Sequence, residues 1–253
     1  FIVLGFYLLL RAGARVEEGT TVEAGAAGAR TDPSGAARGG WLLPLSAPEM
    51  GAGAAFVTAA AIKASGGVLI PVVLAGLLRA PRRLVQVALG MAAAGAVVGV
   101  ASLIAFGLHI PDLSTQSRLV TNVSVPNLIG LALGGGGETG TLHAVLSGAL
   151  AASVALCCAQ AWRRRAVVTA SGWAGVALLV TLSWVLPWYV LWVLPLAALS
   201  GSRRLRVTAL ALGVYLIIAW APASGLLWNA IGFHPERTSL GRLHQRYVKE
   251  LLN

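Results

Sequence analysis

Charge is scarce in this sequence. Asp, Glu, Lys and Arg make up 11% of its 253 residues, where an ordinary soluble domain has about 25%. Hydrophobic residues reach 57%. A water-facing surface cannot be covered from such a composition, which excludes an ordinary soluble domain. Acidic residues are the scarcest, 9 against 19 Lys and Arg, for a formal net charge of +10. Cysteine is limited to Cys157 and Cys158, adjacent in an apolar run. Neighbours on a helix point in different directions, so these two do not pair as a disulfide. Three signatures are missing altogether: a phosphate-cradling glycine loop, His/Cys metal spacing, and a defensible Ser-His-Asp order. The Gly134–Gly137 run has no Lys-Ser/Thr after it. It reads as a flexible link, and Glu138 and His143 beside it are assigned no chemistry. The sequence assigns no metal ligand and no organic cofactor, and leaves dependence on a divalent metal open.

What is present is long apolar runs separated by arginines. Arg79, Arg82 and Arg83 form one cluster, Arg163 to Arg165 a second, and Arg203, Arg204 and Arg206 a third. Basic residues in short loops between apolar runs follow the positive-inside pattern of membrane proteins. Nucleic acid, the other usual partner of a basic chain, needs a basic face on a soluble surface and is not expected.

A helix needs about 20 apolar residues to span a bilayer. Phe1–Leu10 is too short and reads as the tail of a span (1–10), with further chain expected upstream of Phe1. Residues 11–49 form a Gly/Ala-rich flexible loop. A transmembrane helical domain fills 50–222, and an amphipathic tail 223–253. Within that domain, 50–62 and 66–79 read as two short helices meeting near Lys63, where Gly66, Gly67 and Pro71 break the run. Clear spans follow at 84–108, 141–162 and 167–186. Residues 109–140 read as a polar connection. Pro187 interrupts, Tyr189–Leu199 reads as a shorter descending helix, and 207–220 is the last long run. In the tail, Leu240, Leu243, Tyr247 and Leu251 recur at helical spacing with basic residues between them, as in a helix lying on a membrane surface. The fold class expected is all-α: a polytopic transmembrane bundle with short broken helices, set among membrane lipids.

With the arginine clusters in the cytoplasm, the Lys63 break, the 109–140 connection and the Pro187 corner share the opposite face. Lys63 is costly inside a bilayer. It either holds an anion such as a lipid phosphate or snorkels to headgroups. Arg118, the only arginine of its connection, has the planar fork that suits phosphate or carboxylate. Asp112 and His109 are weak candidates for acid–base work. Gln116 and Asn127 are candidates for binding hydroxyls. Trp188 and Tyr189, in Pro187-Trp188-Tyr189-Val190-Leu191-Trp192, offer aromatic faces for a sugar or isoprenoid. The alternative for that stretch is an interfacial aromatic belt.

Three stretches carry a family resemblance: Ala61-Ile62-Lys63-Ala64-Ser65 with Pro71, Gln116-Ser117-Arg118 with Pro126-Asn127, and Pro187 to Trp192. Together they resemble the C-terminal portion of GT-C-type membrane glycosyltransferases. The nearest likeness is to actinobacterial polyprenyl-phosphate-mannose-dependent mannosyltransferases of the glycosyltransferase family 87 type. The Ala, Arg and Gly richness is similar to that of a high-GC bacterium.

The resemblance implies an enzyme of the bacterial plasma membrane with its active face outside the cytoplasm. Its donor would be a sugar, mannose, on a polyprenyl phosphate, and its acceptor a glycan or glycolipid. Transfer would invert the anomeric carbon. Lys63 and Arg118 would bind the donor phosphate, and Gln116, Asn127, Trp188 and Tyr189 would line the sugar or lipid groove. The general base of such enzymes is a carboxylate in an early extracytoplasmic loop. It would lie upstream of Phe1, because Glu17, Glu18 and Glu23 fall in a loop placed in the cytoplasm. The rival readings are a transporter or flippase for a lipid-linked or small anionic substrate, and a non-catalytic membrane scaffold.

Overall fold

Two glycines let a pair of helices approach backbone to backbone and so organise the first part of the chain. The computed structural model describes residues 1–13, 47–108, 119–164, 166–220, and positions 229, 230, 232, 234, 237 and 242. The described residues form helices and turns with no strand. Chain contacts divide them into two units: Phe1–Ile70 with Leu77–Leu108, and Pro71–Gly76 with His109–Asn253.

The first unit contains α1 (Ile2–Gly13), α2 (Ala47–Ile62) and α4 (Pro81–Phe106). Between the last two run a 3₁₀ turn (Ala64–Val68) and α3 (Leu69–Leu77), which holds residues of both units. Pro48 and Glu49 start α2, where a missing N–H and a negative charge both suit a helix N-terminus. Any Cβ on Gly53 of α2 would strike the Val87 carbonyl of α4, and one on Gly90 of α4 would strike the Met50 carbonyl of α2. This reciprocal pair is the small-residue contact by which apolar helices pack where no hydrophobic effect drives them together. Phe6 of α1 meets Phe56 of α2 edge to face, centroids 5.1 Å apart. Arg83 ties all three helices. It donates to the Leu9 carbonyl of α1 at 2.6 Å, and its Nε lies 3.5 Å from the buried Glu49 carboxylate.

The expected break at Lys63 is present. Helix α2 ends at Ile62, and Lys63 is extended (φ −150°, ψ 118°) ahead of the 3₁₀ turn.

The second unit contains α5 (Val125–Ala132), α6 (Gly140–Arg164), α7 (Val167–Thr181), a 3₁₀ corner (Pro187–Trp192), α8 (Leu194–Leu199) and α9 (Arg203–Trp220). Two expectations are corrected here. The 109–140 stretch is not all connection, because Ser124 and Pro126 start a helix within it. The run from Val167 does not stay helical to Leu186: α7 stops at Thr181 and Leu182 is extended. Proline forces its predecessor out of helical geometry, and Leu186 accordingly sits at φ −119°, ψ 151°. Val185, Tyr189, Val193, Leu205 and Leu216 are buried together in one core. Gly172 faces Leu205, whose Cδ2 would lie 2.5 Å from a Cβ there.

This unit has two chemically different ends. Helix α6 runs from His143 in its first turns to Arg163 and Arg164 in its last, about 30 Å at 1.5 Å per residue. Helix α7 returns, so that Ser183 comes back beside His143. Helix α9 starts with Arg203, Arg204 and Arg206 where Leu205 meets Gly172 early in α7. Farther along α9, Tyr215 donates to the Val123 carbonyl at 2.5 Å. The described arginines of these helices therefore sit at one end, and residues 121–124, 143 and 183 at the other.

Two of the described helices, Pro81–Phe106 and Gly140–Arg164, are long and apolar enough to cross a membrane. Neither is a core helix. Val97, Val100, Leu103, Ile104, Val145 and Leu156 on them are all exposed, as side chains facing lipid would be. The other apolar helices are shorter. Most of the 11–49 loop and of the amphipathic tail falls outside the described residues.

Candidate functional site

The polar end of the second unit is built by a chain that folds back twice. Ser124 caps α5 by accepting from the Asn127 N–H at 3.3 Å, the usual role of a serine before a helix. After α5 the chain reverses through Gly134, Gly136 and Gly137, all at positive φ, where a Cβ is disfavoured. The reversal brings the Gly137 carbonyl so close to Gly130 that no side chain fits there. Asn127 secures it, its Nδ2 donating to the Asn122 carbonyl at 2.9 Å and its Oδ1 accepting from the Glu138 N–H at 3.2 Å. Thr139 then caps α6, accepting from the Leu142 N–H at 3.2 Å. Glu138 and His143 therefore flank the start of that helix.

The stretch after α7 closes the site. The Ser183 carbonyl accepts from both the Thr121 N–H at 2.9 Å and the Thr121 hydroxyl at 3.1 Å. Thr121 Oγ1 in turn accepts from the Val185 N–H at 3.2 Å. These bonds hold Ser183 so that its hydroxyl donates to Glu138 Oε1 at 2.7 Å. His143 Nδ1 lies 2.9 Å from the same oxygen and 3.3 Å from Ser183 Oγ.

The Glu138 side chain is only 4% exposed, whereas that of His143 is 55% exposed. Glu138 Oε2 is buried without a hydrogen-bond partner among the described residues. An ionised carboxylate only accepts, so with Glu138 ionised the imidazole donates through Nδ1, and a neutral ring then keeps its lone pair on Nε2. This is not a nucleophile triad. A triad needs its serine on the histidine nitrogen remote from the carboxylate, and here Ser183 and Glu138 share one nitrogen.

The residues expected from the sequence are placed as follows. Lys63 lies in the first unit, at the break after α2. His109, Asp112, Gln116 and Arg118 fall outside the described residues. Asn127 is buried, with both ends of its amide bonded to backbone. Tyr189 is 3% exposed and stacks on Trp192 at 4.3 Å and 19°. Trp188 meets Tyr189 edge-on and is 59% exposed.

Glu138 and His143, assigned no chemistry from the sequence, are the structure's polar focus together with Ser183. One signal was available. A chain with 9 acidic residues places one immediately before a threonine cap and a long apolar helix, where burial is costly without partners.

Residues 120–233 match the family model described as MptB C-terminal domain. The matched stretch is somewhat less than half of the chain and contains Thr121, Asn127, Glu138, His143, Ser183, Trp188 and Tyr215. No curated protein matches, and no solved structure does. Over residues 120–233 the chain is thus similar to the MptB C-terminal domain, consistent with a mannosyltransferase-related family.

Proposed function

We propose that this chain is part of a bacterial plasma-membrane glycosyltransferase. It transfers mannose from a polyprenyl-phosphate donor to an extracytoplasmic glycan or lipid acceptor. The observation that carries the reading is the match over residues 120–233, because the matched stretch contains the whole polar cluster. The exposed apolar faces of α4 and α6 support a membrane setting. The arginine-rich end of the second unit is cytoplasmic by the positive-inside rule. The end with Glu138, His143 and Ser183 then faces outward, where lipid-linked sugars are used.

In this reaction the acceptor oxygen bonds to the anomeric carbon as the bond from that carbon to the phosphate oxygen breaks. The acceptor hydroxyl gives its proton to a general base, and polyprenyl phosphate leaves. The resemblance assigns Lys63 and Arg118 to the departing phosphate, as cations beside developing negative charge. The resemblance assigns Gln116 and Trp188, the latter exposed, to the sugar or isoprenoid. The resemblance also assigns Asn127 and Tyr189 to that groove; Asn127 accepts from the Glu138 N–H, and Tyr189 stacks on Trp192. The resemblance implies a carboxylate as general base, and within this sequence Asp112 and His109 are only weak candidates for acid–base work.

Native mass spectrometry of the detergent-purified full-length protein tests the donor assignment. The expected result is a bound polyprenyl phosphate that Lys63→Ala and Arg118→Ala both release. If no such lipid is retained even after polyprenyl-phosphate mannose is added, the donor site is not here.

A further inference from the structure

The Glu138–His143 pair leaves two acceptors unused. One is Oε2 of a carboxylate that is almost fully buried and has no donor among the described residues. The other is Nε2 of an imidazole whose Nδ1 is committed to that carboxylate and whose ring is more than half exposed. Glu138 fixes the ring's tautomer and direction, as second partners of functional histidines do. Ser183 holds the carboxylate from the other side.

The surroundings decide which ligand this suits. Phosphate would want net positive charge, but here a carboxylate offsets any charge on the imidazole. The described arginines on α6 and α9 begin at the other end of the unit, about 30 Å along α6. A hydroxyl suits the site better, because it supplies a donor to the exposed imidazole without adding charge beside the buried carboxylate.

We propose that Glu138 and His143 form a hydroxyl-binding site for a hexose, with His143 Nε2 accepting a hydrogen bond from a sugar hydroxyl and Glu138 acting as its positioning residue. The inference rests on the glycosyltransferase reading and deepens it by assigning sugar recognition to residues distinct from the phosphate-binding cations.

Two isosteres separate this role from a purely structural one. Glutamine places its terminal amide near the position of Nε2, and asparagine places its own near Nδ1. His143→Gln keeps the outward contact and gives up the one to Glu138, while His143→Asn does the reverse. The assay uses the full-length protein in nanodiscs, with polyprenyl-phosphate mannose as donor and octyl mannoside as acceptor. Inhibition by polyprenyl phosphate, which has no sugar, is measured alongside.

The expected result is a rise of about tenfold or more in KM for one of the two sugar substrates in His143→Asn, the size of one lost hydrogen bond to a fixed group. The rise is much smaller in His143→Gln, and inhibition by polyprenyl phosphate is unchanged in both. If His143→Asn behaves as wild type and His143→Gln does not, the histidine is only a structural partner of Glu138 and the inference is overturned. Weakened inhibition by polyprenyl phosphate would overturn it in favour of a phosphate contact. A wild-type protein that transfers nothing would instead sink the glycosyltransferase reading, and the inference with it.

Discussion

A buried carboxylate needs donors, and Glu138 takes them from residues five and forty-five positions away. That distance in sequence is why the site is hard to read from the chain. Nothing local to Gly134–Gly137 announces that Ser183 will arrive there, and the glycines read equally well as a linker. Asn127 was legible as a polar residue of interest, but its work is on backbone. Glu138→Ala would leave the Ser183 hydroxyl and His143 Nδ1 without their acceptor. We expect a stability loss of about 1–3 kcal/mol, read as a lower thermal midpoint in detergent. Tyr215→Phe removes only the hydroxyl that donates to Val123 and keeps the ring. It should cost about 1 kcal/mol by the same measurement.

At the scale of helices, local chemistry and long-range contacts divide the credit. The Lys63 break was legible because a cation, Gly66-Gly67 and Pro71 fall together in an otherwise apolar run. The end of α7 was not, since residues 180–186 stay mostly apolar while Pro187 and the bonds to Thr121 end the helix early. Helix α5 is short and followed by glycines, so no periodicity marks it. The Arg83–Glu49 contact was hidden as well, because Arg83 reads as one of a cytoplasmic cluster. Glu49→Ala should destabilise the protein by about 1–3 kcal/mol, below the range for a fully buried pair because Arg83 keeps partial access to solvent. Gly53→Leu should do more damage, because any Cβ there strikes the α4 backbone. Overpacking typically costs about 1–3 kcal/mol, and a backbone collision cannot be relieved by a rotamer change. Loss of the folded, monodisperse fraction in size-exclusion chromatography is the expected outcome.

For the molecule as a whole, the claim is a polarity: arginines at one end of the second unit, a hydroxyl-binding cluster at the other. Composition made the membrane setting legible, and the arginine spacing is the basis of the proposed orientation. Thr141 and Gly201 lie near the two ends and are exposed. In a background with Cys157 and Cys158 replaced by serine, Thr141→Cys should react with an impermeant maleimide on intact cells. Gly201→Cys should react only after permeabilisation. The reverse pattern would invert the proposed topology and place the cluster in the cytoplasm.

The central claim is sugar transfer from a polyprenyl phosphate, and the most direct measurement is transfer itself. Full-length protein reconstituted in liposomes is given radiolabelled polyprenyl-phosphate mannose and octyl mannoside. The account predicts labelled dimannoside that depends on the protein and falls sharply with Arg118→Ala. Donor left intact, with acceptor and lipid recovered unchanged, would contradict it.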